Sequence, residues 1–360
     1  GATYGSAINN NILINGGFDI WQREIGVNHA HGGTGTTYFA DRWVRLDGIS
    51  GGGATSGVYS IKRNEFNANQ TDVYGNPKYY ASLRNDVKPT SSKGDFVFIE
   101  NRVEDVRTAR GEDVTMSFWA KCGVTGATMS IVIDQYDGTN THITNPASVS
   151  VGTLWSKFEV SFLVPNITTS PTGKHYVGFG FDTSRLNTTL DLAQVKLEKG
   201  IVATKNASSP HQREKELHNC SRYYQRSYNT DEFFASPTML DDKTPNTTVV
   251  DFTTTPSQDH YEKFKVEMRG EPAITFYSPF TGMTADAFNR TAGVDLGKVN
   301  GTVGFNREVR QGIPGKSCIT ATYATKNGMY IYMPCGVVLW DDISVHYIAD
   351  ADLDENMPNT

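Results

Sequence analysis

Residues 155–164 read Trp-Ser-Lys-Phe-Glu-Val-Ser-Phe-Leu-Val, alternating apolar and polar side chains until Pro165 closes the run. Side chains of a strand point in turn to its two faces, so a period of two marks a strand with one dry and one wet side. Proline then stops pairing, because it has no N–H to give. Comparable short runs recur at 38–46, 58–62, 95–103, 114–121, 129–136, 176–181 and 190–198. Between them lie turn signals such as Asn15-Gly16-Gly17 and the Gly-rich stretch 50–57. A chain built this way folds into stacked antiparallel sheets. The 34 glycines, 17 tyrosines and 18 phenylalanines agree with that, and helix-forming Leu and Glu are sparse.

One segment breaks the pattern. Ser209 suits a helix N-cap and Pro210 suits the first helical turn, where its missing N–H is not needed. Arg213, Leu217, Cys220 and Tyr224 follow at helical spacing, which predicts a helix over about 210–220. Strand-like runs resume at 248–253, 261–268, 273–277, 301–306, 318–324, 329–333 and 337–346. The expected fold is therefore all-β: an N-terminal β-sandwich or jelly roll over 1–208, a linking helix over 209–226, and a second, smaller β-sandwich domain over 227–360. A length of 360 residues suits two domains of roughly 100–200 residues each. No fixed-period repeat or heptad array occurs, which disfavours a β-helix or a coiled coil.

Charge and composition remove several functions. A net charge of −6 argues against nucleic acid as a partner. No apolar run is long enough to span a bilayer, and no leader pattern opens the chain, so membrane insertion is not expected and a signal peptide is expected to be absent or removed. The four cysteines, Cys122, Cys220, Cys318 and Cys335, are too scattered for a zinc site. Cys318 and Cys335 fall on neighbouring predicted strands and are the one pair placed to bridge; buried free thiols are the commoner state. No nucleophile elbow, H-E-x-x-H or P-loop lysine is present. Carboxylate pairs such as Asp134 with Asp137, or Glu104 with Asp105, arise in any chain with 39 acidic residues.

Three stretches carry a resemblance. They are 15–23 (Asn-Gly-Gly-Phe-Asp-Ile-Trp-Gln-Arg) with 40–43 (Ala-Asp-Arg-Trp), then 192–200 leading into 220–228, then 346–353. In this order they resemble tail-fibre and other receptor-binding proteins of bacteriophages and prophages, whose first domain looks like a carbohydrate-binding-module jelly roll. The resemblance implies a non-catalytic virion tail protein, extracellular, that recognises a host surface polysaccharide or another receptor. It also implies a homotrimer and contacts with other virion tail proteins. Two other readings stay open: a structural virion decoration or connector, and a glycan-degrading enzyme with an unrecognised site. Jelly-roll binding modules often hold one structural Ca²⁺, and the matching carboxylates here are Asp19 and Asp191.

Sugar recognition needs aromatic faces for the apolar side of a pyranose and polar groups for its hydroxyls. Loop-proximal candidates are Tyr136, Asp137 and Asn140, the pair Tyr79 and Tyr80 after a Gly-Asn-Pro turn, and Tyr59 after the Gly-rich loop. Trp119 and Trp155 are expected in the core, as large aromatics usually are. Trp21, Trp43, Arg23, Asp41 and Arg42 are expected to be structural, the last three as a buried ion pair. His29 and His31 read as part of a surface loop, and Asp350, Asp352 and Asp354 as a solvated tail.

Overall fold

The structure is a computed structural model that describes residues 11–23, 35–48, 59–85, 96–186, 188–204, 210–228, 250–253, 260–279, 288–289, 294–295, 298–299, 302–303, 320–332 and 342–352. It divides into two compact units, 1–217 with 353–360, and 218–352. The division falls inside the helix α1 (Pro210–Ser221), which starts at the predicted proline. No helix among the described residues is long and apolar enough to cross a membrane.

The first unit is a β-sandwich of jelly-roll type. Its strands are β1 (Gly35–Tyr38), β2 (Trp43–Gly48), β3 (Tyr59–Glu65), β4 (Tyr79–Asn85), β5 (Phe96–Glu104), β6 (Asp113–Cys122), β7 (Ala127–Tyr136), β8 (Thr141–Thr144), β9 (Ser148–Val151), β10 (Ser156–Leu163), β11 (Tyr176–Asp182) and β12 (Thr189–Lys199). One sheet runs β1-β2-β5-β11-β7-β8, with β9 also on β7; the other runs β10-β6-β12-β4-β3. All of these pairings are antiparallel. The run 38–46, read as one strand, is two short ones broken at 39–42, where Arg42 takes a left-handed φ of 69°.

Alternation builds the core. Val114, Met116, Phe118 and Ala120 of β6, Leu190 and Leu192 of β12, and Ala81 and Leu83 of β4 face inward. They meet Met129, Ile131 and Ile133 of β7 and Val177, Phe179 and Phe181 of β11. Burying a large aliphatic or aromatic side chain stabilises by about 1.5–3 kcal/mol, so this shared layer holds the two sheets together. In β12 the pairing register with β6 shifts between Ala193 and Lys196, where Gln194 has a φ of 49°. That bulge resets the alternation and returns Val195 and Leu197 to the core.

The second unit is also β. Its long strand Asp342–Asp350 pairs with Tyr224–Arg226, Val250–Thr253, Ala273–Tyr277 and Phe288–Asn289. A separate sheet orders His260–Lys263, Gly328–Tyr332 and Thr320–Thr325. The acidic tail begins later than its sequence suggests. Asp350 is the last residue of the long strand, and its Oδ1 accepts the N–H of Asp352, which is buried. Asp354, His29, His31, Cys318 and Cys335 lie outside the described residues. Cys122 and Cys220 are buried.

Candidate functional site

The motif that carries the family resemblance is a structural clamp. Asn15 sits at a left-handed φ of 59°, which Asn tolerates better than most side chains. Its Nδ2 donates to the carbonyls of Ile20 (2.8 Å) and Asp41 (2.9 Å), and its Oδ1 accepts the Ile20 N–H (3.0 Å). The indole of Trp43 donates to the Asn15 carbonyl at 2.9 Å, and that of Trp21 donates to the Phe18 carbonyl at 2.8 Å. Gly16 is required here: a Cβ on it would stand 2.0 Å from the Val195 carbonyl oxygen of β12. The structural reading of Trp21 and Trp43 thus holds. Asp41 receives both the backbone N–H and the side-chain amide of Gln22, and Arg42 donates to the Arg102 carbonyl. Arg23 lies over the Tyr38 ring at 4.7 Å.

The outward face of the five-stranded sheet carries a different set. Residues opposite in phase to the core lie on this side: Lys121 and Trp119 on β6 and Tyr80 on β4 are half-buried, and Asp191 on β12 is buried. Trp155 immediately precedes β10 and shares this phase with Lys157 and Glu159. The rings of Phe66, Tyr80 and Trp155 pack on one another, with centroids 4.7 Å (Phe66–Tyr80), 5.3 Å (Phe66–Trp155) and 5.4 Å (Tyr80–Trp155) apart. All three are half-buried. The Lys121 ammonium stands 5.1 Å from the Trp155 ring centre and 5.8 Å from that of Tyr80. It pairs with Asp191 Oδ2 at 3.3 Å, directly across the β6–β12 ladder. Burial and the Asp191 charge together raise the Tyr80 hydroxyl pKa.

Trp119 and Trp155 are therefore not core residues. Both are half-buried on the outward face, because their positions in the alternation are those of Lys121 and Lys157 rather than of Phe118 and Phe158. Such a face offers aromatic carbon for the apolar side of a sugar, with an ammonium alongside for its hydroxyls.

The other candidates are spread over the unit. Tyr79 is half-buried, with the Arg63 guanidinium 4.3 Å and the Lys78 ammonium 4.9 Å from its ring centre. Tyr59 opens β3, paired with Asn85, and its side chain lies outside the described residues. Tyr136, Asp137 and Asn140 lie at the β7–β8 turn of the other sheet. There Asp137 is buried and holds the turn itself. It accepts the N–H groups of Thr139 (2.9 Å) and Asn140 (2.7 Å) and the Thr169 hydroxyl (2.6 Å), and His142 stands 3.4 Å away. These bonds, led by that of Thr169, hold its carboxyl well below the usual range. Gly138 beside it has a φ of 95°, and a Cβ there would strike the Thr172 carbonyl. Asn140 is exposed, and Tyr136 is half-buried against Tyr176, ring centres 5.4 Å apart.

The two carboxylates matched to calcium have cationic surroundings. Asp191 faces Lys121. Asp19 is pushed up in pKa by burial, against the pull of Arg213, Arg63 and Lys78. Among the described residues no group of three His, Cys, Asp or Glu side chains stands together to hold a metal ion.

In the second unit, Ser227 Oγ lies 2.8 Å from His346 Nδ1, a spacing that would suit a nucleophile and its base. Both residues are buried, and Ser227 Oγ also accepts the Tyr347 N–H at 2.9 Å. The Tyr228 ring stacks on His346 at 3.8 Å. The arrangement ties the segment after Arg226 to the long strand.

No family model matches the chain, and no curated protein matches it. Among solved structures, a CBM4 structure is similar at 19% identity, covering 52% of this chain and 99% of that one, with a TM-score of 0.32. The CBM22-1 xylan-binding domain of a Paenibacillus barcinonensis protein is similar at 12% identity, covering 50% of this chain and 99% of that one, with a TM-score of 0.29. The enzymatically active domain of tailspike protein 4 from bacteriophage CBA120 is similar at 14% identity, covering 44% of this chain and 19% of that one, with a TM-score of 0.30.

Proposed function

We propose that this chain is a non-catalytic receptor-binding protein that takes a cell-surface glycan on the outward face of its five-stranded sheet, serving a virion tail as the fibre proteins it resembles do. The observation that carries this reading is the half-buried cluster of Phe66, Tyr80 and Trp155 beside the Lys121–Asp191 pair. The C–H face of a pyranose stacks on Trp155 and Tyr80. Lys121 donates to a hydroxyl, and the buried Asp191 beside it holds the ammonium in place. A polysaccharide suits such an open, shallow face, since successive residues add weak contacts.

The test is a bacterial-glycan array followed by calorimetry on the best hit. Trp155→Ala and Tyr80→Ala each weaken binding about 10–100-fold, the range for losing a stacking aromatic. Their circular dichroism matches the parent, because neither ring is in the core. Asp191→Asn weakens binding less and leaves stacking intact. Asp137→Asn, on the other sheet, leaves affinity unchanged. Equal affinity in Trp155→Ala, or shortened oligosaccharides after incubation with the parent protein, would overturn the proposal.

A further inference from the structure

We infer that β10 is a self-pairing edge, through which two copies of this chain join their five-stranded sheets into one. Among the described strands β10 pairs only with β6, so its other side presents unpaired backbone N–H and C=O groups. Protected edges carry charged side chains, proline, an inward charge or a bulge. Ser156–Leu163 carries Lys157 and Glu159 on its outward face but no proline, inward charge or bulge, and its pairing with β6 is regular over all eight residues. Phe158 and Val160 face the core yet remain only partly buried. Leu154 and Leu163, at the two ends, are 78% and 57% exposed. An unpaired edge is a template for a strand whose side chains match it.

The charge pattern says which strand. Lys157 and Glu159 flank Phe158, and both point to the outward face, where each is more than a third exposed. Within one chain they pair with each other at 2.5 Å. When two β10 strands meet antiparallel about Phe158, Lys157 of each lies opposite Glu159 of the other, twice over. Ser156 then faces Val160, and Phe158 faces its own copy. Directly opposed residues are the closest side chains of an antiparallel pair, so opposite charges there favour this register over a slipped one. The occupant is a second copy, because the strand is complementary to itself.

The symmetry has a consequence. The two-fold axis of such a pair is perpendicular to the sheet, so both outward faces look the same way. The two Trp155 rings come to lie about 20 Å apart, six residues along a strand at about 3.4 Å each. The association rests on the strand edge and does not depend on what those faces bind. It sets two copies together, where the fibre resemblance implies three.

Light scattering on a sizing column, with sedimentation equilibrium for the constant, tests this on the full chain. The parent protein elutes with the mass of two chains. Lys157→Glu puts carboxylates opposite Glu159 at both contacts and raises the dimer dissociation constant at least about tenfold. Adding Glu159→Lys to that variant restores the register and the dimer. Both positions are exposed, so thermal melts of the dissociated single variant report a folded chain. A parent that is monomeric at 100 μM overturns the inference. So does a trimer, or a dimer that Lys157→Glu leaves as tight as before.

Discussion

Asn15→Ala is expected to lower the stability of the first unit by about 4 kcal/mol, a large part of the 5–15 kcal/mol typical of a domain. Alanine removes the bonds to the Ile20 N–H and to the Asp41 carbonyl, both in a buried loop. A buried group left without its partner costs about 1–3 kcal/mol. The Ile20 carbonyl keeps a second donor, the Asp41 N–H at 3.1 Å, and adds less. The backbone adds about 1 kcal/mol more, since φ at residue 15 is 59° and alanine disfavours it. Asn15→Gly separates these contributions: it relieves the backbone, loses the same bonds, and lies about 1 kcal/mol above the alanine variant. Urea titration followed by tryptophan fluorescence reads both, because Trp21 and Trp43 donate into the same loop. A loss below 1 kcal/mol for Asn15→Ala would mean that the loop stands without its clamp.

Acid is expected to loosen the second unit through His346. Burial, with the nearby Arg226 cation, holds the imidazole pKa down to about 3, against 6.5 for an ordinary histidine. The folded protein therefore keeps His346 neutral while the unfolded chain takes up a proton below pH 6.5. Stability is complete above that pH and falls as the pH drops toward 3, because the unfolded state binds more protons there. By pH 5 the loss from this one group is about 2 kcal/mol. His346→Gln keeps a polar group near Ser227 and cannot titrate, so its stability changes about 2 kcal/mol less between pH 7 and pH 5. Hydrogen exchange of the strand Asp342–Asp350, which contains His346, is the local measure. Equal pH dependence in parent and variant would place the acid sensitivity elsewhere.

The strands were legible because alternation is a local property. Residues 114–121, 129–136, 155–164 and 190–198 all became strands within two or three residues of their predicted ends. The helix was legible from Ser209 and Pro210, since capping is also local. Even the site was partly written there. Trp155 shares its phase with Lys157 and Glu159, and Trp119 shares its phase with Lys121, so both indoles fall on the polar side. Expecting Trp119 and Trp155 in the core hid that. Tyr80 was found as a candidate, but Phe66 and Lys121 carried no signal of their own.

By itself the sequence determined the fold class, the place of the helix and which side of each strand is dry, because these follow from backbone chemistry and the two-residue period. Only the tertiary structure decided which strands are neighbours. The order β10-β6-β12-β4-β3 brings Trp155, Lys121, Asp191 and Tyr80 onto one face from positions spread over more than a hundred residues. The same order leaves β10 at an edge. It sets Asp191 opposite Lys121 in an ion pair. Cross-strand pairing is set by the packing of two whole sheets around a shared core, and no stretch of chain carries that information alone.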